Sequence, residues 1–243
     1  MSSQPVKLEQ WIKERIPAEM EERFKQMRAK QLTIRKKIVL QDHPKIFEAR
    51  YIGGTDVSFF GDGRACAGIV ILELPDLNVI EFVYSIYVPS IPYVPTFLAF
   101  RELSGILVAY NKLKTKPDII LVDGNGILHH HGVGIASHLG VELEIPTIGA
   151  AKKCLVGTYE KTVLKKKGSI APIIYNNQEI GAAVVTREGN KPIFVSSGHL
   201  VSLSSAIETV LRCARWRIPE PTRLADKFTR EKVRSYTNDN TNN

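Results

Sequence analysis

The sequence predicts an α/β domain in which helices flank a central mixed β-sheet. Three observations support this class. Three β-like runs follow one another with short turns between them, an all-apolar run typical of central parallel strands comes later, and helical patterns surround that run. At 243 residues the chain is long enough to bury a substantial core. We expect one domain over residues 1–243, with an ordered core at 8–235 and a flexible tail at 236–243.

The first part of the chain predicts a helix and then a three-stranded antiparallel meander. The segment from Pro17 to Lys37 is rich in Glu, Lys, Met and Ala and lacks strong turn signals, so a helix is expected there. Turns at Gly61–Gly63 and Pro75–Asp76 separate the runs that follow. The predicted strands are Tyr51–Phe59, Ala65–Leu74 and Val79–Val88.

The second part alternates helices and strands. A buried helix is expected over Thr96–Lys112, and Asp118–Asp123 is typical of a central parallel strand. The lysine-rich segment Lys161–Gly168 is interpreted as an exposed loop or hairpin, and the polar segment Ser235–Asn243 as disordered. The other predicted elements are a helix near Val133–Leu139, a strand near Ile145–Ile148, a hairpin of Glu179–Thr186 and Pro192–Ser197, and helices near Ser202–Arg215 and Pro221–Arg234. This order matches the ribonuclease H-like fold.

Charge and cysteine content narrow the functional classes. The formal net charge is +8, with seven Lys or Arg against one acid from Glu22 to Lys37 and eight against three from Arg212 to Arg234. Two basic ends suggest two sides of a groove for phosphates, although solvated helix faces would give the same pattern. The odd set Cys66, Cys154 and Cys213 lacks CxxC spacing, which argues against a zinc site or a disulfide framework.

Localisation is constrained by what the sequence lacks. No apolar run approaches a membrane span, and the N-terminal segment is polar rather than signal-like. We therefore expect no membrane partner and a location in the cytoplasm, the nucleus or both, including the nucleolus. The basic runs Arg35–Lys37 and Lys165–Lys167 do not separate these compartments, because they suit phosphate binding as well as targeting.

Two aspartates stand where strands are predicted. Asp56 interrupts a run of Tyr, Ile, Val and Phe, and alternation places it on the face opposite Val57. A strand-edge cap or a pairing with arginine would also explain it. Asp123 ends the most apolar strand, where sites form in open α/β sheets, but a plain Asp-Gly turn with Gly124 explains it equally well.

Glu102 is the least expected acid for its surroundings. On a helix it lies about 40° from both Leu98 and Ile106, so it occupies an apolar face where a carboxylate needs a partner. A core ion pair remains an alternative. Asp226 lies among basic residues and suits a surface ion pair as well as a site.

Carboxylates from separate segments suit Mg²⁺, a hard cation that prefers oxygen ligands. A two-metal phosphodiesterase holds its ions about 3.5–4 Å apart. The adjacent histidines from His129 to His131 suggest a transition-metal site less strongly, because neighbours on a loop rarely face one ion.

Four segments together resemble endonuclease V, a family that cleaves nucleic acids near deaminated purines. They are Gly54–Ser58 (GTDVS), Pro92–Glu102 (PYVPTFLAFRE), Val122–Gly140 (VDGNGILHHHGVGIASHLG) and Gly149–Lys153 (GAAKK). Their order and spacing are compatible with the family, and the resemblance covers about Arg50 to Arg230. The choice of Asn125 and His130, with Arg217–Pro221 and Ala225–Asp226 downstream, looks more like eukaryotic members than bacterial ones.

The resemblance implies roles for six residues at the chemical step. The acids are implied as metal ligands or their neighbours: Asp56 and Asp123 as principal ligands, Glu102 completing the set, and Asp226 at the fourth acidic position. Lys152 is implied to contact the scissile phosphate or stabilise its developing charge, with a solvated lysine as the plain alternative. His129 is implied to orient a phosphate or a water near the metals.

The resemblance also implies a substrate-binding wedge. Pro92 and Pro95 hold the backbone around Tyr93 extended, so the ring can fill the gap left by an extruded base. A proline-rich turn over the core is the alternative. Thr96 stands where many members have glycine, which would change the mobility of the wedge. The implied pocket for the extruded base consists of Leu98, Gly124, Ile135 and Leu155.

The function implied by the resemblance is a Mg²⁺-dependent endonuclease, with Mn²⁺ able to substitute, acting on inosine-containing nucleic acid. It would cut the second phosphodiester bond on the 3′ side of inosine and leave 3′-hydroxyl and 5′-phosphate ends. The eukaryote-like motifs favour single-stranded RNA, with deaminated DNA as the alternative. We expect a monomer without an organic cofactor. A non-cleaving inosine-binding module and another ribonuclease H-like nuclease, such as a junction resolvase, are the competing interpretations.

Overall fold

A computed structural model of the chain describes residues 18–241, with side chains described for residues 19–237. Within that range one eight-stranded sheet carries helices on both faces, which confirms the predicted α/β class. The strands are β1 (Tyr51–Phe59), β2 (Ala65–Glu73), β3 (Asn78–Tyr87), β4 (Ile119–Val122), β5 (Thr147–Ala151), β6 (Ile170–Tyr175), β7 (Gln178–Val184) and β8 (Ile193–His199). The helices are α1 (Glu21–Lys37), α2 (Leu98–Lys112), α3 (Ile135–Leu143), α4 (Leu203–Arg212) and α5 (Glu220–Thr241), with 3₁₀ turns at Ala18–Met20 and Pro44–Ile46. Pro17, the predicted start of the first helix, lies outside the described residues, as does the expected ordered stretch 8–17.

The strand order is β3-β2-β1-β4-β5-β8-β7-β6. As predicted, β1, β2 and β3 form an antiparallel meander, and β1, β4 and β5 run parallel at the centre. The remaining strands, β8, β7 and β6, extend the same sheet with antiparallel pairing. Because β1, β4 and β5 point the same way, the residues that follow them meet at one end of the sheet.

Alternate residues of the central strands bury against different helices. Ile120 of β4 belongs to the apolar cluster formed with α2 and α3, while Leu121 belongs to the cluster formed with α4 and α5. Helix α1 lies outside α3 and reaches the loop before α2, where Phe24 packs edge-on against Phe97 at 5.1 Å between ring centroids. Among the described helices, none is both long enough and apolar enough to cross a membrane.

One strand was not predicted from the sequence. Strand β6 contains Pro172, and proline usually argues against a strand. Because β6 is the outermost strand of the sheet, the missing backbone N–H of Pro172 removes no hydrogen bond to a neighbouring strand. Asn176 and Asn177, both with positive φ (50° and 59°), join β6 to β7 in the backbone region that tight hairpins require. The segment Lys161–Gly168 lies outside the strands and helices, as expected.

The last helix continues past the predicted boundary at Arg234. Helix α5 runs to Thr241, so the predicted helix end at Arg234 is too early, while the flexibility expected for residues 236–243 stays a prediction. The reason is tertiary, since the Tyr236 ring lies 6.3 Å from that of Phe60 and its hydroxyl lies 3.4 Å from that of Tyr84. Residues 242–243 of the predicted tail lie outside the described part of the chain.

His138 is a buried histidine at the contact between α1, α2 and α3. Its side chain is 1% exposed, and its ring packs edge-on against Phe100 at 5.1 Å. The Glu142 carboxylate lies 3.5 Å from its Nε2 and is also bound by Lys30 at 2.8 Å. Burial, assisted by Lys30, lowers the pKa of His138 to about 4 despite the opposing effect of Glu142. The imidazole is therefore neutral at pH 7.

We predict that replacing His138 by leucine will flatten the acid dependence of stability. The folded pKa is about 4 and the ordinary value is 6.5, so the unfolded chain binds the extra proton between these values. Stability from the neutral ring is thus complete above pH 6.5 and lost as the pH falls toward 4. Denaturant titration measures the unfolding free energy. Between pH 6.5 and 4 its decrease per pH unit should be about 1.4 kcal/mol smaller in the variant than in the unmodified protein.

Measurement at pH 8, where the ring is neutral in both states, isolates the packing effect of the His138→Leu change. Identical slopes for the two proteins between pH 4 and 6.5 would contradict the assignment of this titration to His138.

Candidate functional site

Strands β1 and β4 place two aspartates side by side at one end of the sheet. Thr55 pairs with Val122 in parallel register, and the backbone amide of Asp123 donates to the carbonyl oxygen of Thr55 over 3.3 Å. Asp56, the next residue of β1, therefore lies beside Asp123. Both acids are half-buried.

Helix α5 supplies the polar surroundings of Asp56. The Thr229 hydroxyl donates to Oδ2 of Asp56 over 3.1 Å and lies 2.9 Å from the Ser58 hydroxyl. The side chain of Asp56 thus points to α5, on the face opposite Val57, as strand alternation predicts.

Helix α5 can approach β1 closely because Gly54 lacks a side chain, since a Cβ there would lie 2.1 Å from the backbone of Pro221. Sequence reasoning missed Thr229, whose only local clue is its place one turn after Asp226.

Glu102 approaches the aspartates from α2. Burial and the charges of Asp56 and Asp123 together raise its pKa to about 8, against the opposing charge of Arg101. Burial likewise raises the pKa of Asp56 to about 6, with Asp123 and Asp226 adding to the effect and Thr229 opposing it. The structure therefore brings together the four acids singled out from the sequence, close enough for their charges to interact.

Lys152 is the cation of this cluster. Strand β5 runs to Ala151 rather than ending at Ile148 as predicted, so Lys152 follows the strand that neighbours β4. Its Nζ contacts Oδ2 of Asp123. Burial alone would lower the pKa of Lys152, but Asp123 and the other aspartates raise it above its ordinary value.

The donor set fits a divalent cation. Four carboxylates supply the oxygen ligands that Mg²⁺ prefers. Burial and neighbouring acids raise the pKa values of Asp56 and Glu102, and a bound divalent cation would favour their charged forms. Between residues 19 and 237, no three His, Cys, Asp or Glu side chains already form a metal-binding group. The Lys152 ammonium supplies positive charge at Oδ2 of Asp123.

An open cavity of about 430 Å³ gives access to the cluster. It is lined by the acids Asp56 and Asp226 and by the cations Lys152, Arg230 and Arg234. Arg230 also binds Asp226 over 2.9 Å. Acids and bases in one cavity suit a bound cation together with a phosphate group.

The proline-framed tyrosine stands at the surface. Tyr93 is 62% exposed, Pro92 is exposed and Pro95 is half-buried. The apolar residues beside them, Ile91 and Val94, are buried against α1 and Phe97. The loop is therefore anchored while its aromatic ring projects into solvent.

Thr96 has a backbone conformation that glycine adopts more readily. Its φ is 70°, in the left-handed region that a β-branched residue rarely adopts. Gln31 of α1 donates from Nε2 to the Thr96 carbonyl oxygen over 2.7 Å. This contact holds the strained backbone in place, which supports a restrained wedge in this chain.

The predicted base-pocket residues lie on three segments. Gly124 and Ile135 are close neighbours, because a Cβ on Gly124 would lie 2.5 Å from Cγ2 of Ile135. Leu98 is the half-buried first residue of α2, and Leu155 is 39% exposed in the loop after β5.

His129 sits close to the wedge loop. Its ring donates to the backbone carbonyl oxygen of Thr96, and its Nδ1 accepts from the backbone amide of His131 over 3.2 Å. Burial, followed by the charges of His131 and His130, lowers its pKa to about 3. The ring is neutral at pH 7, and its hydrogen bonds are with the backbone of Thr96 and of His131.

Comparison with known proteins gives consistent results. A family model described as Endonuclease V matches residues 32–227. Endonuclease V of Trichormus variabilis is 50% identical over 181 residues, 74% of this chain and 81% of that protein. The catalytic domain of human Endonuclease V superposes with a TM-score of 0.85 at 33% identity, covering 90% of this chain and 98% of that chain. Ciona intestinalis Endonuclease V, in complex with a 24mer DNA containing an inosine followed by a ribo-adenosine, superposes with a TM-score of 0.80 at 32% identity. The match covers 89% of this chain and 100% of that chain.

The fold and the acidic cluster define a ribonuclease H-like domain of the kind that hydrolyses phosphodiester bonds. Sequence and structural matches over most of the chain make the assignment more specific. The chain belongs to the endonuclease V family. The eukaryote-like character assigned to Asn125 and His130 stays a prediction, since identity is 50% to the Trichormus protein over 74% of this chain and 33% to the human one over 90%.

We predict that replacing Thr229 by valine will raise the pKa of Asp56 above about 6. The hydroxyl stabilises the charged carboxylate, and valine keeps the shape while removing the donor. Carbon-13 NMR titration of the aspartate carboxyl groups without divalent ions would measure the shift. Thr222→Val is the matched control, since that hydroxyl on the same helix binds the Pro219 carbonyl instead. An unchanged Asp56 titration would contradict the contact.

Proposed function

We propose that this chain is a Mg²⁺-dependent endonuclease, with Mn²⁺ able to substitute, that cleaves inosine-containing nucleic acid. The cut falls at the second phosphodiester bond 3′ to inosine and leaves 3′-hydroxyl and 5′-phosphate ends. Single-stranded RNA is the favoured substrate and deaminated DNA the alternative. The observation that carries the proposal is the convergence of Asp56 in β1 and Glu102 in α2 with Asp123 and Lys152 after β4 and β5, in a member of this family.

In this proposal the acids hold the cation. Asp56 and Asp123 are the principal ligands, Glu102 completes the set and Asp226 takes the fourth acidic position. When bound, Mg²⁺ supplies activation of a water for in-line attack and stabilisation of the leaving oxygen. Carboxylates with raised pKa values must be ionised to act as ligands, which favours activity at neutral to alkaline pH.

Lys152 serves the phosphate. Its ammonium already lies within reach of the acidic cluster and is held charged by Asp123. Donation to a non-bridging phosphate oxygen would stabilise the charge that develops there during hydrolysis. The implied role of His129, orienting a phosphate or a water, stays a prediction.

Recognition of inosine rests on the wedge and the pocket. The exposed ring of Tyr93 can replace an extruded base in the stack, and a strand without a complement costs least to open. The side-chain-free Gly124 lets backbone groups approach the edge of the base. The complex of the Ciona protein with inosine-containing DNA supports the same base for this chain.

The two competing functions require fewer of the features that this site has. A non-cleaving inosine reader has no need of four carboxylates whose like charges oppose one another. A junction resolvase has no need of a single exposed tyrosine beside a restrained loop. The described site combines both features, which favours lesion-directed cleavage.

We predict that the protein will cut an inosine-containing single-stranded RNA only when Mg²⁺ or Mn²⁺ is present. The Asp56→Ala variant should lose at least about a hundredfold in rate, the range seen when one group stabilising a transition state is removed. Gel analysis of end-labelled product across a Mg²⁺ titration measures both effects. Asp62→Ala, which removes an exposed aspartate of the β1–β2 turn, should cleave as the unmodified protein does.

Matched oligonucleotides separate the remaining possibilities. Inosine RNA should be cut faster than inosine DNA at the same salt concentration, and guanosine RNA should remain intact. Binding without product would favour the reader, and equal cleavage of inosine and guanosine strands would favour a general nuclease. Undiminished cleavage by Asp56→Ala would remove the metal assignment.

We predict that Tyr93→Ala will lower kcat/KM for inosine RNA by roughly fivefold to a hundredfold, because a stacking ring contributes about 1–3 kcal/mol per base. Tyr93→Phe keeps the ring and should retain nearly full activity. Steady-state kinetics on the same oligonucleotide would measure both variants. Equal activity of the alanine and phenylalanine variants would show that the ring is no wedge.

A further inference from the structure

A second cavity, of about 490 Å³, adjoins the acidic cluster. The loop that follows β5 and the start of β8 form its walls, and we refer to it as the basic–aromatic cavity. Lys152 lines both this cavity and the acidic one. A strand whose phosphate lies at Lys152 would therefore pass directly from one cavity to the other.

The basic–aromatic cavity carries only positive charge. Its cationic lining consists of Lys152, Lys153, Lys161, Lys191 and Arg217, and no acid lines it. Within residues 19–237, no carboxylate lies at ion-pair distance from the exposed side chains of Lys153, Lys161 or Lys191. Three uncompensated ammonium groups around one concave surface favour a polyanion as the ligand.

The opposite wall is apolar and aromatic. The Tyr159 ring meets Phe194 edge-on at 5.5 Å between centroids. Phe194 is 6% exposed, whereas Tyr159 is only half-buried and keeps surface toward the cavity. Leu164 and Pro192 complete this wall. A base can rest on such a surface whatever its identity, since every base has an apolar face.

Arg217 links the backbone segments that form the cavity. Its guanidinium donates to the carbonyl oxygens of Lys191 over 2.9 Å, of Pro192 over 3.2 Å and of Lys152 over 3.2 Å. These contacts fix the start of β8 to the end of β5. The lysines are thus presented from a braced frame, and the same guanidinium holds the backbone of Lys152.

We propose that the basic–aromatic cavity binds a nucleotide of the substrate strand that neighbours the scissile phosphate. Its base rests against Tyr159, and its phosphates contact Lys161 and Lys191. The cavity volume lies within the range that accommodates small ligands. This inference rests on the proposed nuclease function and extends its substrate site past Lys152.

The consequence is a division between affinity and chemistry. Lys161 and Lys191 lie in the basic–aromatic cavity and do not line the acidic one. Contacts there strengthen the ground state and the transition state equally. Loss of these contacts therefore raises Kd and KM while leaving kcat unchanged.

The test compares Lys161→Gln/Lys191→Gln with the unmodified protein in binding a fluorescent inosine RNA without divalent ions. Anisotropy titrations over a range of salt concentrations give Kd and its salt dependence. Losing two phosphate contacts should reduce the slope of log Kd against log salt by about 1.4, at roughly 0.7 per contact on a single strand. Tyr159→Leu should weaken binding about fivefold at constant slope.

Two controls match these changes. Lys45→Gln/Lys114→Gln removes the same charge from exposed lysines that precede β1 and β4, at the opposite end of the sheet, and should leave the slope almost unchanged. Tyr159→Phe keeps the ring and should bind as the unmodified protein does.

The outcomes are distinct for the cavity and for the nuclease function. If Lys161→Gln/Lys191→Gln retains the original Kd and slope, or resembles the Lys45→Gln/Lys114→Gln control, the cavity is not a nucleotide site even where cleavage is intact. If the unmodified protein binds the RNA with the expected dependence on Lys161 and Lys191 but never cuts it, the cavity stands and the nuclease function falls.

Discussion

The burial of several carboxyl groups close to one another is the constraint on which this structure depends. Burial and neighbouring acids raise the pKa of Asp56 to about 6 and of Glu102 to about 8, because the charged form of a carboxyl group is unfavourable away from water and beside like charge. The apolar clusters on both faces of the sheet must supply the free energy that keeps these groups together. Lys152 and the Thr229 hydroxyl offset part of the cost.

Helix α5 connects the core with the substrate side. Its first turn lies against Gly54 of β1, and its middle supplies Asp226 and Thr229 to the acidic cluster. Farther along, Arg230 and Arg234 line the entrance with positive charge. One helix thereby sets the electrostatics of the acids and the approach of a phosphate, which explains why basic residues concentrate in this part of the chain.

Lys152 occupies the point where two functions meet. Its ammonium contacts Asp123, while its carbonyl oxygen accepts from Arg217 in the frame of the basic–aromatic cavity. Arg217 therefore joins the backbone of Lys152 to the frame of the basic–aromatic cavity, a connection that the spacing of lysines along the chain does not reveal.

The sequence by itself determined the elements whose pattern is local. The apolar run of β4, the meander and the face of α2 that carries Glu102 are visible because continuous apolar runs between turn residues mark buried strands and spacing of four residues marks one face of a helix. Only the tertiary structure decided the edge position of Pro172, the continuation of α5 past Arg234, the contact of Thr229 with Asp56 and the joining of Tyr159 with Lys191. Each of these depends on groups distant in sequence, and the distance between such groups is set by packing rather than by periodicity.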